Sequence, residues 1–258
     1  MVEPARENAS TTVRKAMAVL SAFSYSEPVL GVSELARRLG YGKSTVHRIL
    51  SALRSEGFVE RTKDGRYKLS LKVYEIGQQV AISNDLRTLA HVPLERLRND
   101  SGETAHLAVL SGADVVYVDR LESPHMLRQF TQLGRRRAAH ATSSGKCLLA
   151  FGSLADVEVA IAGGLTRLAP RTVTSKAMLT RTLAEVRSRG YSVSVDESAP
   201  GVASVAAPIF DGSGQCVAAV SAVGPMTRMD NEKIDRCARL VLAAATDISR
   251  AIAGKRRL

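Results

Sequence analysis

Apolar residues recur at helical spacing near the start of the chain. Val13, Ala16, Met17, Leu20 and Phe23 fall at i, i+3, i+4, i+7 and i+10, one face of a helix opening near Thr12, a residue suited to N-capping. Residues 1–10 contain Pro4 and show no such period, so residues 1–11 are expected to be a flexible tail. Ser26-Glu27-Pro28 ends the first helix. A short second helix follows, with Ser33 as its expected N-cap, Leu35, Ala36 and Leu39 on its inner face and Gly40 as its stop. After Tyr41-Gly42 a third helix begins at Lys43 or Ser44, and its buried stripe is Val46, Ile49, Leu50 and Leu53. The period then drops from 3.6 to 2. Phe58-Val59 opens a strand, Thr62-Lys63-Asp64-Gly65 turns it, and Tyr67, Leu69 and Leu71 alternate on the return; Asp-Gly between alternating strands is a strong hairpin cue.

Residues 71–100 are again helical in pattern, with an expected interruption at Ser83-Asn84-Asp85 and a kink or first turn at Pro93. Strands are expected at 104–110 and 115–121 as a hairpin, near 127–131, and at 191–196, 202–210 and 215–223. Helices are expected at 142–151, 154–162, 175–189 and 230–252. Hairpins flanked by helices point to a largely antiparallel sheet with helices on it, not to a parallel βαβ series. The expected fold is therefore α+β: a winged helix-turn-helix over 12–70, a linker helix over 71–84 and an α/β effector-binding and oligomerisation domain over 85–258.

Composition narrows the function. The 258 residues leave room for one or two domains, and 45% hydrophobic residues suffice for a core. No apolar run approaches the ~18–20 residues that span a bilayer, and the polar N-terminus lacks an apolar signal region. Cys147, Cys216 and Cys237 stand far apart, with neither metal nor disulfide spacing, which fits a reducing cytoplasm. No cofactor or metal site is expected. Lys and Arg outnumber Asp and Glu by 36 to 25, a net +11 compatible with a polyanionic partner. Aromatic residues make up 4% and Trp is absent, which disfavours a platform for stacking single-stranded bases.

The outer face of the third helix gives the charge a location. Lys43, Ser44, Thr45, His47, Arg48, Ser51 and Arg54 are all hydrogen-bond donors, with no carboxylate among them. Such a helix fits the major groove of duplex DNA, where arginine forks onto guanine and hydroxyls reach bases or phosphates. Ser33 at the second helix is counted with them as a DNA-binding residue. Arg61, Lys63, Arg66 and Lys68 surround the hairpin turn and form a basic wing for phosphates or the minor groove.

Several segments resemble the IclR-type bacterial transcriptional regulators. They are Gly31-Val32-Ser33-Glu34-Leu35-Ala36, Gly42-Lys43-Ser44-Thr45-Val46-His47-Arg48-Ile49-Leu50, Gly57-Phe58-Val59 and Tyr67-Lys68-Leu69. Further on come Ser101-Gly102-Glu103-Thr104-Ala105-His106-Leu107, His140-Ala141-Thr142-Ser143-Ser144-Gly145-Lys146, Gly190-Tyr191 and Ala206-Ala207-Pro208-Ile209-Phe210-Asp211. The resemblance covers residues 12 to 252. It implies a winged helix-turn-helix, a dimerising linker helix and an effector domain with a GAF/PAS-like sheet. It also implies dimers or dimers of dimers that bind palindromic operators in response to small metabolites. Ser143-Ser144 stands where the family usually has Ala or Gly-Ala, which makes this site more polar.

The strand pattern points to a ligand site by itself. If 210 pairs with 215, then 204 pairs with 221, and Val202, Ser204, Ala206, Pro208 and Phe210 share a face with Val217, Ala219, Ser221 and Val223. Two serines among small residues leave room and hydroxyls, a pattern that Ser194 and Asp196 continue on strand 191–196. The opposite face, Ala203, Val205, Ala207, Ile209, Cys216, Ala218, Val220 and Ala222, is apolar and should pack on helices. Ser143 and Ser144 open a helix whose N-terminus favours a carboxylate. By resemblance, effector contacts fall at 143–144, 194, 204 and 221, and Met126, Leu127 and Phe130 are candidates for an apolar lid. Arg135-Arg136-Arg137 reads as a solvated loop, with an anion clamp as the alternative. The expected partners are operator DNA, a small organic acid and a second copy of the chain, with no membrane.

An enzyme is the competing class. His140, Ser143, Ser144, Cys147 and Asp196 include nucleophiles and bases, but no Gly-x-Ser-x-Gly elbow, P-loop or dinucleotide fingerprint is present. The expectation is a non-enzymatic regulator, a repressor of a catabolic operon, with an activator as the alternative.

Overall fold

A computed structural model of the chain describes residues 4–24, 26–79, 81–125 and 136–255, with the backbone alone at 4–10, 78 and 81–85. The chain forms two compact units, Met1–Ala81 and Ile82–Leu258.

The first unit holds helices α1 (Pro4–Ser21), α2 (Val32–Leu39), α3 (Lys43–Ser55) and α4 (Leu71–Gln78). Strands β1 (Val29–Leu30), β2 (Val59–Arg61) and β3 (Tyr67–Leu69) make an antiparallel sheet in the order β1-β3-β2. The α3 stripe of Val46, Ile49, Leu50 and Leu53 is buried as expected, against Leu35 and Ala36 of α2 and against Val19, Phe23, Leu30, Val59 and Tyr67.

Four expectations need correction. The helical backbone begins at Pro4, not Thr12, because a proline in the first turn gives up an N–H that has no helical partner anyway. Val13 and Met17 are exposed, and among the described side chains of that helix Val19 is the buried one. Gly31, not Ser33, caps α2; its N–H donates to Glu34 Oε2 at 2.6 Å, and Ser33 is an exposed residue of the first turn. Leu71 leaves the strand alternation, since Ser70 caps α4 by accepting from the Lys72 N–H. Strand β1 was missed, because two residues are too few to display a period. Gly40, in the left-handed region at φ 67°, ends α2 as expected.

The second unit contains α5 (Ala81–Ser101), β4 (Thr104–Ser111), β5 (Asp114–Leu121) and β6 (Arg136–Ala138), then a 3-10 turn over Ala139–Ala141. Next come α6 (Ser143–Phe151), α7 (Leu154–Ala162), α8 (Lys176–Arg189), β7 (Ser192–Val195), β8 (Val202–Phe210), β9 (Cys216–Pro225) and α9 (Asn231–Lys255). Its six strands are antiparallel in the order β6-β5-β4-β9-β8-β7. Ser83-Asn84-Asp85 lies within α5 and does not interrupt it, and Pro93 is also inside that helix. The strand expected at 127–131 lies outside the described residues.

Both sheet faces are covered. One carries Ala203, Val205, Ala207 and Ile209 with Ala218, Val220 and Ala222, packed under Leu86, Ala90, Leu94 and Leu97 of α5 and under Val241, Ala245 and Ile248 of α9. The other packs Ala206, Ala219, Ala108 and Tyr117 against Cys147, Leu148 and Leu149 of α6, with Leu179, Leu183 and Val186 of α8 behind. A bulge between Ile209 and Phe210 pairs Phe210 with Cys216, so Ser204 opposes Val223 and Ala206 opposes Ser221. This corrects the expected 204–221 pairing. The shift is two residues, so most side chains keep their face. Cys216 and Val217 are the exceptions: the bulge sends Cys216 toward the α6 side and Val217 toward α5 and α9.

Candidate functional site

α3 presents the first candidate. Lys43, Ser44, His47, Arg48, Ser51 and Arg54 are exposed and Thr45 is half-buried, so the apolar stripe fixes the helix while its opposite face offers donors. The helix has 13 residues, ~20 Å at 1.5 Å per residue, a length that fits a major groove. Gly42 caps its N-terminus without a side-chain hydrogen bond, which leaves first-turn amides open to a phosphate.

The wing is less free than its composition suggests. Arg66 donates through Nη2 to the Val29 carbonyl at 2.8 Å and pairs with Glu34 Oε2 at 3.0 Å. It therefore ties the hairpin to the start of α2, so fewer of its donors face solvent than the composition of the wing suggests. The Gly31 N–H, and after it Arg66, hold the Glu34 carboxyl below the usual carboxylate range. Lys68 pairs with Glu60 across the strands at 2.9 Å, and Arg61 Nε donates to the Gly65 carbonyl at 3.4 Å. Lys63, exposed at the tip, makes no ion pair among the described residues.

The second candidate is a cavity in the second unit, at about 20 Å³ large enough for a single water. Tyr117 and Arg137 line it from β5 and β6, and Thr142, Ser143 and Ser144 from the start of α6. Ser198 and Ala199 of the loop after β7, Val202 and Ser204 of β8, and Val223 of β9 complete the wall. The Ser143 hydroxyl donates to Ser204 Oγ at 2.7 Å, and the Ser144 hydroxyl to Ser221 Oγ at 3.1 Å. These hydroxyls pin α6 onto the sheet. Ser194 does the same by donating to the Ala141 carbonyl at 3.2 Å. A Cβ on Gly145 would lie 2.2 Å from the Ala139 carbonyl oxygen, so glycine is needed for this close approach.

Buried charges brace the same wall. Lys146 is 1% exposed and pairs with Glu197 Oε1 at 2.5 Å; burial lowers its pKa and Glu197 opposes that shift. Thr172 Oγ1 donates to the Glu197 carbonyl at 2.6 Å. Beneath α6, His106 stacks obliquely on Tyr117, ring centroids 4.7 Å apart. Burial pushes the His106 imidazole down to about 3, with Arg120 adding to the shift, and pushes the Tyr117 phenol up to about 12.

The structure brings Ser143, Ser144 and Ser204 to the cavity. Ser194 and Ser221 are buried beside α6 without lining it, and Asp196 turns away to accept the Gly201 N–H at 2.8 Å. Asp196 has φ 58°, in the left-handed region, at the start of the loop after β7, and does not line the cavity. Met126, Leu127, Phe130 and Arg135 lie outside the described residues. Sequence alone singled out neither Tyr117 nor the Lys146–Glu197 pair; Arg137, from the arginine run, lines the cavity. Alternation along 115–117 could have put Tyr117 on the right face, but the strand order that brings it near Ser204 leaves no trace in the sequence. Among the described residues no catalytic pairing forms around the serines: Ser143 meets Ser204, and His140 Nε2 meets the Thr166 carbonyl at 3.1 Å. Burial raises the pKa of all three cysteines, so none is an activated thiolate. The described residues hold no metal-binding cluster, and none of their helices is long and apolar enough to cross a membrane.

Comparisons with known proteins match the domain that holds each candidate. Residues 12–63 match the IclR helix-turn-helix domain, and residues 78–250 match the domain described as "Bacterial transcriptional regulator IclR C-terminal". The chain is 36% identical over 219 residues to the glycerol operon regulatory protein of Streptomyces griseus, covering 84% of this chain and 86% of that one. It is 29% identical over 249 residues to the transcriptional repressor IclR of Escherichia coli, covering 95% and 91%. A crystal structure of an IclR homologue from Microbacterium hydrocarbonoxydans complexed with 4-hydroxybenzoate superposes with a TM-score of 0.83 at 27% identity, over 93% of this chain and 98% of that one.

Proposed function

This chain belongs to the IclR family of bacterial transcriptional regulators, and on that footing we propose that it represses a catabolic operon and is released by a small organic acid. It binds a palindromic operator in duplex DNA, as a dimer or a dimer of dimers, in the cytoplasm. The observation that carries the reading is the exposed, carboxylate-free face of α3, with Lys43, Ser44, Thr45, His47, Arg48, Ser51 and Arg54 as its contacts and Ser33 and Lys63 at the flanks. Leu71, Tyr74 and Ile76 stand exposed on α4, which favours self-association through that helix.

The cavity at Ser143, Ser144 and Ser204 is the effector site in this reading. A helix N-terminus and convergent hydroxyls suit an acid. The relative crystallised with 4-hydroxybenzoate supports that class, and the relative named as a repressor supports the sign.

The test is enrichment of bound sequences from random duplex DNA, followed by footprinting with and without 4-hydroxybenzoate and related acids. The expected site has two half-sites related by a two-fold axis, about one helical turn or a multiple apart. An acid should weaken the footprint and raise transcription in vitro. An acid that raises transcription without weakening the footprint would make the protein an activator. A footprint without two-fold symmetry would defeat the dimeric reading.

A further inference from the structure

Three consecutive arginines precede the cavity, and backbone alternation separates the last two. Arg136 opposes Val116 and turns outward; it is exposed, donates to the Ser111 carbonyl at 3.0 Å and pairs with Asp114 at 3.4 Å. Arg137 opposes Val115, so it shares a sheet face with Val115 and Tyr117 beneath α6, and it lines the cavity half-buried. A solvated arginine run would not place one member there.

Around Arg137 the lining carries hydroxyls from Tyr117, Ser143, Ser144, Ser198 and Ser204, and no carboxylate among the described residues. Of the two acids next to the lining in sequence, Glu197 pairs through Oε1 with Lys146 and Asp196 accepts the Gly201 N–H. A guanidinium stays protonated and has five N–H donors in a planar fork, so an existing partner does not exhaust it. Its natural complement is a carboxylate held by two parallel hydrogen bonds. The N-terminus of α6 adds roughly half a positive charge to the same wall. That sum suits one negative charge; a second would be buried with nothing to oppose it.

We propose that Arg137 selects the effector's charge, and that the effector is a small monocarboxylate held between Arg137 and the first turn of α6. The inference rests on the cavity being the effector site, and adds the ligand's charge and the side chain that demands it. The Ser143–Ser204 hydrogen bond joins two residues of the lining, so a ligand that takes over both hydroxyls breaks it.

The experiment uses the full chain and matched probes: benzoate and benzamide, 4-hydroxybenzoate and 4-hydroxybenzamide, pyruvate and pyruvamide, with phthalate and malonate as dianions. Affinities come from concentration-dependent thermal shifts. At least one monocarboxylate should bind tenfold or more tighter than its amide and than either dianion. Arg137→Gln should weaken that acid ~10–100-fold and leave the amide within about twofold, as loss of a charge-assisted hydrogen bond does. Arg137→Lys, which keeps the charge and loses the fork, should fall between. If no carboxylate outbinds its amide in the unaltered protein, or Arg137→Gln keeps the preference, the proposal is overturned. Ser204→Leu, which fills the cavity, separates the two levels. Binding that survives it overturns the site itself. Binding lost to Ser204→Leu but untouched by Arg137→Gln overturns only the role of Arg137.

Discussion

His106 is 1% exposed, and its neutral form is the one the fold accommodates. The folded-state pKa of about 3 lies below the unfolded value near 6.5, so on acidification the unfolded chain takes the proton first. The stability tied to neutral His106 is complete above about pH 6.5 and is lost as pH falls toward 3, by at most ~1.4 kcal/mol per pH unit. The urea midpoint should therefore drop through that window, and the slope should flatten in His106→Gln. Equal slopes in the two proteins would place the acid sensitivity elsewhere. On the DNA face, Arg48→Ala should cost ~1–3 kcal/mol and relax sequence preference if Arg48 reads a base. A uniform loss across sequences would make it a phosphate contact.

At the scale of elements, α6 is the piece on which the site depends. Thr142 caps it by accepting the Gly145 N–H at 3.0 Å, and Gly145 lets it close onto the 3-10 turn. A methyl at 145 would meet backbone atoms at 2.2 and 2.4 Å, which cannot swing aside as a side chain does. Gly145→Ala should therefore destabilise by about 3 kcal/mol, or ~6–12 °C in melting temperature for a unit of this size. A variant melting within 2 °C of the parent would show that the turn can give. The wing is a second dependent element. Arg66→Ala removes the tether to Val29 and Glu34, so it should weaken DNA binding through wing position while leaving the salt slope nearly unchanged. A slope lower by about one would return Arg66 to the list of phosphate contacts.

For the whole molecule, charge sets how binding responds to salt. The net +11 is spread along the chain, and the log of operator affinity should fall linearly with the log of salt concentration, by ~0.9 for each phosphate neutralised. Lys63→Ala should lower that slope by about one and weaken all sequences alike. A change of base preference instead would put Lys63 in a groove.

Local pattern alone determined most of the elements. The α3 stripe, the Asp-Gly hairpin and the alternation along β7, β8 and β9 depend on periods of 3.6 and 2 that neighbouring residues express by themselves. The donor face of α3 was legible for the same reason, since an apolar stripe dictates what points outward. Three things needed the tertiary structure. The bulge after Ile209 set the register and exchanged Cys216 with Val217. The order β6-β5-β4-β9-β8-β7 carried Tyr117 and Arg137 to a wall otherwise built by residues 142–144, 198–204 and 223. The pairing of Arg66 with Glu34, 32 positions apart, gave a residue of the basic wing an internal bracing role that its neighbours in sequence do not announce. Periodicity reports which way a side chain points within its own element; which distant element it meets depends on long-range pairing, and short-range pattern does not encode that.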